Sequence, residues 1–296
     1  MSGEGPPILI LGGPTASGKS ALAVDLAEAW GGVVVSADAM TVYRGLDVGT
    51  AKPSAADRAR APHRGLDLRD PHEDFNVADF LAEVEAARAT GQPVIVAGGT
   101  PFWLAALVRP LARLPEPDPL IRAEIEQIDD LHGALAAVDP ESAARLHPHD
   151  RVRLVRALEV FRLTGAPMSA VHAAGAGRPP VPHRLVWLDR DDLQARIGAR
   201  LDQMLAGDYL GELRRALNAG VPPTCKPLKS FAYVHLVAHL HEGLAWDEAL
   251  RCTRRDTWRL ARKQRTWARG MGWAAAPVEA GWAAAEATFG PRPAAR

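Results

Sequence analysis

Residues 13–20 read GPTASGKS and match the pattern G-x-x-x-x-G-K-[ST], in which glycines let a loop wrap around a phosphate group. The apolar run ILILGG (8–13) leads into the motif and predicts a buried parallel strand. SALAVDLAEAW (20–30) follows with helical spacing. A strand, a phosphate loop and a helix in this order predict a polyphosphate site. Its residues are Gly13, Pro14, Thr15, Ala16, Ser17, Gly18, Lys19 and Ser20.

Each part of this loop has a physical role in holding a polyphosphate. Consecutive amides and the helix N-terminus supply partial positive charge, Lys19 adds a full charge, and the Ser20 hydroxyl suits Mg²⁺. The motif does not identify the polyphosphate. An NTPase usually adds an aspartate at a strand end to hold Mg²⁺, and both Asp38 and Asp189 end predicted strands. This criterion leaves ATP and other polyphosphates open.

Strands and helices alternate on either side of the loop. The apolar runs GVVVSAD (32–38), PVIVAGGT (93–100) and RLVWLD (184–189) are typical of buried strands, and residues 77–90 have helical spacing. This alternation predicts an α/β fold: a P-loop NTPase-like parallel sheet flanked by helices.

The strand signals stop in the middle of the chain, where the pattern is helical at 120–138, 140–146 and 150–164. We therefore predict a helical insertion domain within the core. The predicted bounds are 110–182 for the insertion, and 1–109 with 183–296 for the core, whose C-terminal part is again helical.

The composition excludes several classes of protein. Lys+Arg and Asp+Glu number 35 each, so the chain is no overall polycation, although a local basic face is compatible with that balance. Two cysteines exclude a disulfide framework. No apolar run reaches the roughly 18 residues of a membrane span. We expect a cytoplasmic protein that binds no membrane.

Beyond the phosphate loop, the chain carries specific segments in a fixed order. They are SADAMTVYRGLDVGTAKP (36–53), VAGGTPFWLAAL (96–107), DPLIRAEI (118–125), LHPHDRVRLVRALEVF (146–161), RIGARLDQMLAGDYLGEL (196–213) and ARKQRTWARG (261–270). Together with GPTASGKS they resemble the tRNA dimethylallyltransferase family, whose members attach an isoprenoid to the adenosine beside the anticodon. The resemblance spans residues 8–270 and implies the fold class predicted above.

The resemblance implies a prenyl transfer with Mg²⁺ as cofactor. The phosphate loop would hold the diphosphate of dimethylallyl diphosphate, and the dimethylallyl group would move to N6 of adenosine 37 with release of diphosphate. N6 is a poor nucleophile, because its lone pair is delocalised into the ring, so a general base helps. Asp38 matches the family's catalytic aspartate, Thr100 matches a catalytic threonine, and Lys19 stabilises the leaving group.

The same resemblance implies contacts to the anticodon stem-loop of tRNA. The matching positions are Asp38, Ala39, Met40, Thr41, Thr100, Arg122, Val152, Arg153, Leu154, Val155 and Arg156. Arg153 and Arg156 lie three apart, so one helix face would present both to the RNA. Residues 251–269 hold eight more basic side chains, which favour phosphate binding or a solvated helix. We expect a monomer.

Some positions depart from the family pattern. Ala39 stands where serine is usual, Thr41 where glutamine is usual, and Ala232 where glycine is usual. Trp258 stands at a common arginine position, with core packing favoured over RNA stacking for it and Trp267. The transfer chemistry is therefore the stronger expectation, and the base contacts and tRNA selectivity stay open.

Three other hypotheses remain at this stage. A prenyltransferase of free adenine nucleotides would share the chemistry, but it needs neither the insertion nor the basic C-terminal helix. A small-molecule or nucleotide kinase would share the phosphate loop and transfer a phosphoryl group instead. A tRNA-binding relative without activity would retain the fold after its pocket had changed.

Overall fold

The structure, a computed structural model, describes residues 6–109, 112, 114–174 and 180–293. These residues form one six-stranded sheet, in the order β3-β2-β4-β1-β5-β6, with all strand pairs parallel. The strands are β1 (Ile8–Gly12), β2 (Val33–Ser36), β3 (His63–Arg64), β4 (Val94–Gly98), β5 (His183–Leu188) and β6 (Ala275–Ala276). The predicted parallel α/β sheet flanked by helices is confirmed.

The helices follow the strands in the alternation that the sequence predicted. They are α1 (Lys19–Trp30), α2 (Ala55–Arg60), α3 (Val77–Arg88), α4 (Pro101–Val108), α5 (Pro119–Glu126), α6 (Leu131–Val138), α7 (Pro140–Arg145), α8 (Arg151–Thr164), α9 (Met168–Ala173), α10 (Leu193–Ala206), α11 (Tyr209–Asn218), α12 (Val234–His241), α13 (Trp246–Gly270) and α14 (Glu279–Phe289). No helix within the described ranges is both long and apolar enough to cross a membrane.

The order of the strands explains where a site can form. β4 lies between β1 and β2, with Gly12 in register with Gly98 and Ala97 with Ser36. The carboxyl ends of these three strands are therefore level at one edge of the sheet, and ligands of open parallel sheets bind beyond such ends. β1 is buried along its whole length, as its apolar run ILILG predicts.

The chain divides into two compact units. One, the core unit, comprises Met1–Val108 and Val181–Arg296, and the other, the helical unit, comprises Arg109–Pro180. The insertion predicted from the sequence runs from 110 to 182, and each of these limits differs from that of the helical unit by one or two residues. The described strands all belong to the core unit, and α5 to α9 belong to the helical unit.

The helical unit has an apolar centre of its own, which includes Ile125, Leu131, Leu135, Leu154 and Leu158. The single helical pattern predicted over 120–138 is two helices in the structure. The Asp130 side chain accepts a hydrogen bond from the Gly133 amide at 2.8 Å and caps α6, so the helix starts afresh there.

Candidate active site

The phosphate loop joins β1 to α1 at the carboxyl edge of the sheet. A Cβ at Gly13 would lie 2.6 Å from the Leu188 carbonyl oxygen, and Gly18 has a φ of +95° directly before the helix, so both positions favour glycine. The first turn of α1 has neither a side-chain cap nor an acidic residue. Its amide hydrogens therefore suit an anion.

Two cations from distant parts of the chain meet at this loop. The Lys19 ammonium donates to the Pro14 carbonyl at 3.1 Å, and the Arg200 guanidinium, from α10, donates to the Thr15 hydroxyl at 3.3 Å. Burial lowers the pKa of Lys19 to about 8, nearby Asp38 opposes that shift, and Arg200 adds to it. Burial also lowers the pKa of Arg200, again opposed by Asp38. The loop thus has two positive groups facing one carboxylate.

Asp38 and Thr100 follow β2 and β4 and are held together by backbone hydrogen bonds. The Thr100 amide donates to the Ala37 carbonyl, and the Ala39 amide donates to the Thr100 hydroxyl, both at 3.2 Å. The Asp38 carboxylate accepts from the Met40 amide through Oδ1 at 2.9 Å. Its Oδ2 accepts no hydrogen bond from the described residues, so one carboxylate oxygen is available to a substrate.

Gln264 of α13 ties the phosphate loop to the end of β4. Its side-chain oxygen accepts from the Thr15 amide at 2.9 Å, and its side-chain nitrogen donates to the Gly99 carbonyl at 2.6 Å. The side chain is 6% exposed. One buried amide therefore fixes the distance between the phosphate loop and the segment that carries Thr100.

Glu212 of α11 fixes the loop that carries the DVGTAKP sequence. Its carboxylate accepts from three consecutive amides at positions 47–49 and from the Tyr233 hydroxyl at 2.6 Å. Burial, and then the charge of Glu212, raise the pKa of Tyr233, so the phenol stays a donor. A Cβ at Gly49 would lie 2.4 Å from the Tyr233 ring, which explains glycine there. The loop is thereby pressed against the aromatic pair Tyr209–Tyr233.

These elements enclose one cavity of about 190 Å³ in the core unit. Its polar wall contains Lys19, Ser20, Asp38 and Arg200. A second part of the lining is apolar, and its members come from α10, α13 and the segment before α12. They are Ile197, Leu201, Met204, Phe231 and Leu260. The cavity combines an anion site, a carboxylate and an apolar wall.

The two strand-end aspartates differ in their surroundings. Asp38 lines the cavity, whereas Asp189 forms a bidentate ion pair with Arg265 at 2.8–3.0 Å and lies outside that cavity. Thr41 is 5% exposed, and its hydroxyl bonds the Ser36 hydroxyl and the Asp38 carbonyl. Thr41 therefore braces the Asp38 turn, and its expected contact to RNA would have to displace these bonds.

Several residues predicted to bind tRNA lie in the helical unit and are only partly accessible. Leu154 and Val155 are 0% and 4% exposed, because their side chains pack in the core of the unit. Val152 is 82% exposed, and the Arg153 side chain is 73% exposed. These two fit the expected surface position.

Arg122 and Arg156 both pair with a buried carboxylate, which Arg153 does not contact. Both guanidiniums bond Glu159, at 2.8 and 2.6 Å, and Glu159 is fully buried. Burial alone raises the pKa of Glu159, but Arg156 and Arg122 hold it below its ordinary value. Arg153 and Arg156 therefore differ in their surroundings, because Arg156 belongs to this ion cluster and Arg153 does not.

Comparison with known proteins identifies the family. A model of the IPP transferase family matches residues 41–271. The chain belongs to the IPP transferase family. It is 46% identical over 269 residues to tRNA dimethylallyltransferase 1 of Citrifermentans bemidjiense, covering 88% of each chain. It is 45% identical over 276 residues to tRNA dimethylallyltransferase of Geobacter metallireducens, covering 88% of this chain and 89% of that one.

Solved structures of similar fold agree with this membership. The tRNA isopentenylpyrophosphate transferase of Bacillus halodurans is 31% identical, with a TM-score of 0.63, over 92% of this chain and 90% of that one. A eukaryotic dimethylallyltransferase acting on tRNA has a TM-score of 0.76 at 23% identity and supports the fold alone, over 89% of this chain and 70% of that one. These similarities do not favour the kinase or the free-nucleotide hypothesis.

Three residues of the site were not singled out from the sequence. Arg200, Glu212 and Gln264 lie within two segments that resemble the family, 196–213 and 261–270, but nothing local marks them as neighbours of the phosphate loop. Gln264 is 249 residues from its partner Thr15. Only the fold brings such distant side chains together.

Proposed function

We propose that this protein is a tRNA dimethylallyltransferase that moves a dimethylallyl group from dimethylallyl diphosphate to N6 of adenosine 37. The observation that carries the proposal is the single cavity in which the phosphate loop, Asp38 and an apolar wall meet. A diphosphate ester of a short branched hydrocarbon has a matching anionic head and apolar tail. Membership of the IPP transferase family supports the same chemistry.

The diphosphate would bind to the amides of residues 13–20, with Lys19 and Arg200 beside it. Those donors oppose the negative charge that grows on the leaving group, so they stabilise the transition state more than the bound substrate. Mg²⁺ fits the same place. The Ser20 hydroxyl lines the cavity, and Mg²⁺ is usually held by one or two protein oxygens plus substrate phosphates. When bound, the ion would neutralise phosphate charge.

Asp38 would act as the general base. As the bond from N6 to the allylic carbon forms and the carbon–oxygen bond to diphosphate breaks, the N6 proton would pass to the free Oδ2 of Asp38. The Met40 amide on Oδ1 and the Thr100–Ala39 hydrogen bond fix the orientation of this turn. Positioned proton transfer of this kind contributes about 10²–10⁴ in rate.

The acceptor would be the anticodon stem-loop of tRNA, bound by a monomer in the cytoplasm. The target adenine must leave the base stack to reach Asp38 in its cavity. Asp38, Met40 and Thr41 line the cavity, and the Thr100 hydroxyl accepts from the Ala39 amide in the same turn. The exposed Val152 and Arg153 offer an apolar contact and a charge for the RNA. Leu154, Val155, Arg122 and Arg156 would act by supporting that surface.

The test is the transfer of labelled dimethylallyl diphosphate to unmodified tRNA by wild type and by Asp38→Asn. We expect the variant to lose at least about 10²-fold in turnover while its affinities for tRNA and for the diphosphate stay within threefold. Asp191→Asn, the same change at an exposed aspartate, serves as the control and should retain activity. Unchanged turnover in Asp38→Asn would remove Asp38 as the base, and label on free AMP in place of tRNA would overturn the acceptor.

A further inference from the structure

The C-terminal helix α14 packs behind the phosphate loop. The resemblance to the family ends at residue 270, and the match to the family model ends at residue 271. α14 begins after both limits and lies against β1, β5 and α1. None of its residues, all of which the structure describes, lines the active-site cavity. Any influence of α14 on the reaction must therefore pass through the elements that carry the loop.

Gly281, in the first turn of α14, contacts both flanks of the phosphate loop. A Cβ at this position would lie 2.5 Å from Cδ2 of Leu22 and 3.7 Å from Cδ2 of Leu11. Leu11 precedes Gly13, where the loop begins, and Leu22 follows Ser20, where the loop ends. Gly281 therefore lies where β1 and α1 diverge on either side of the loop.

This close approach explains why position 281 is glycine. The φ of Gly281 is outside the left-handed region, so the backbone would accept other residues, and glycine weakens the interior of a helix. A side chain at this position would have to displace Leu22, which is 2% exposed and belongs to the apolar core of the unit. Glycine lets α14 approach the loop more closely than any other residue would allow.

Leu22 connects this contact to the anion site through the backbone of α1. Its amide donates to the Gly18 carbonyl at 3.2 Å, and Lys19 lies one turn before it in the helix. The amides and the ammonium that suit an anion are thus in the same turn as Leu22. Gln264 holds the loop separately, through the Thr15 amide. A displacement of Leu22 would therefore move the first turn of α1 relative to the part of the loop that Gln264 holds.

The other end of α14 packs against the end of α1 that is remote from the loop. The Trp30 indole nitrogen donates to the Gly290 carbonyl at 3.1 Å, and the Trp30 ring centroid lies 6.5 Å from that of Phe289 and 5.9 Å from that of Trp282. Trp30 is the last residue of α1. With a rise of 1.5 Å per residue it lies about 16 Å from Lys19 along the helix. The same two helices therefore meet at one place near the anion site and at another far from it.

We propose that Gly281 is a positioning residue for bound diphosphate, because its contact with Leu22 sets where the first turn of α1 lies relative to the rest of the phosphate loop. The inference rests on the proposed function for the identity of the donor, and it applies to any polyphosphate that the loop holds. Hydrogen bonds weaken steeply when their geometry is distorted, so a small shift of the amides in this turn should lower the affinity for an anion. The aromatic contacts at Trp30 should contribute to stability and not to anion binding.

The decisive variant is Gly281→Val, and its measured quantity is the Kd for inorganic diphosphate in the presence of Mg²⁺. Valine would displace Leu22, and we expect the Kd to rise about tenfold, which corresponds to the loss of one hydrogen bond to a charged group. The KM for dimethylallyl diphosphate should rise by the same factor. The kcat at saturating donor and the Kd for tRNA should stay within about threefold of wild type, because the contact affects the binding of the diphosphate.

The matched control is Phe289→Ala, which removes packing between the same two helices at the remote end of α1. It should lower the midpoint of thermal unfolding, as the loss of a packed ring does, and leave the Kd for diphosphate unchanged. An equal rise of the Kd in both variants would show that diphosphate binding follows overall stability, and would overturn the proposal. An unchanged Kd in Gly281→Val would overturn it as well.

A second substitution tests the contact itself. Leu22→Ala in the Gly281→Val background removes the side chain that valine displaces, so it should return the Kd toward the wild-type value while it lowers stability further. A Kd that stays raised would contradict the role of this contact. If Gly281→Val does not fold, Gly281→Ala takes its place and should give a smaller rise, which Leu22→Ala should again reverse. These binding measurements decide the role of Gly281 even if wild type binds diphosphate without prenylating tRNA, which would refute the proposed function alone.

Discussion

The two units of the molecule each contain a buried glutamate, but they neutralise it in opposite ways. In the core unit, Glu212 is 3% exposed and is held by the backbone amides of residues 47–49 and by a tyrosine hydroxyl, which are all neutral donors. In the helical unit, Glu159 is fully buried and is held by the guanidiniums of Arg122 and Arg156. A buried carboxylate needs partners, but they need not be charged.

The difference decides which cations remain for a ligand. In the core unit no arginine pairs with Glu212 among the described residues. Lys19 and Arg200 lie at the phosphate loop, where their charges are available to an anion. The helical unit uses Arg122 and Arg156 for its own stability, and Arg153 remains as the exposed cation of that group. An arginine at a family position is therefore no proof of an RNA contact, because burial and pairing determine whether its charge is available.

The largest effect should come from Glu212→Ala. The change leaves three amides and one hydroxyl without an acceptor, and each buried orphan costs about 1–3 kcal/mol, so we expect the core unit to lose roughly 3–5 kcal/mol. The loop it holds lines the active-site cavity, and the KM for dimethylallyl diphosphate should rise as well. All eight tryptophans lie outside residues 109–180, so the unfolding of the core unit can be followed by tryptophan fluorescence. A fluorescence transition like that of wild type would show that the loop does not depend on Glu212.

Glu159→Gln should cause a smaller loss of stability, and this loss should occur in the helical unit. The pKa of Glu159 is lowered in the folded state, so its ion cluster stabilises the helical unit above the ordinary pKa of a glutamate and is lost as the pH falls through the lowered value. The variant should be about 1–3 kcal/mol less stable at pH 7, with a flatter loss of stability in acid. Amide hydrogen exchange in α5 and α8 measures this.

The control for Glu159→Gln is the core unit itself. Its tryptophan fluorescence transition and the affinity for dimethylallyl diphosphate should stay at the wild-type values. The acid dependence that remains in the variant should include Asp139, whose pKa burial alone would raise but which hydrogen bonds from Ser169 and Ser142 lower to about 2. If the stability of the variant fell with pH as steeply as that of wild type, Glu159 would not contribute to the acid dependence.

The smallest effect on stability should come from Arg153→Ala. The Arg153 side chain is 73% exposed and pairs with Asp150 at 3.0 Å, and exposed pairs contribute about 0–1 kcal/mol. Its loss should nonetheless weaken tRNA binding, because the charge is accessible. Arg156→Ala should do the reverse, with a clear loss of protection in α8, since it leaves Glu159 with one guanidinium fewer. If the two variants had the same stability, the distinction between an available and a recruited arginine would fail.

The sequence predicted those features that are local or strongly periodic. The phosphate loop, the strands before Asp38 and Thr100, and the insertion follow from short motifs and apolar runs. β3 and β6 were missed, because strands of two residues carry no periodicity and exist only through their neighbours.

The missed parts of the site have one physical cause. Glu212 bonds amides more than 160 residues away, and Gln264 bonds an amide 249 residues away. Neither residue type is unusual on a helix, so no local signal marks it. Leu154 and Val155 are a different case, because their family positions suggested RNA, whereas their apolar character alone favoured the core in which the structure has them.

The Gln264 amide has a consequence for the order in which the protein becomes competent during synthesis. The phosphate loop is made before its partners: β1 lacks its neighbour β5 until residue 188 has been made, and the Thr15 amide lacks its acceptor until residue 264 has been made. A nascent chain that ends before residue 264 contains the complete phosphate loop but lacks the side chain that holds it in place. The active site therefore cannot be complete before Gln264 has been made, and a message cut short before codon 264 would yield a polypeptide with the motif but without its catalytic geometry.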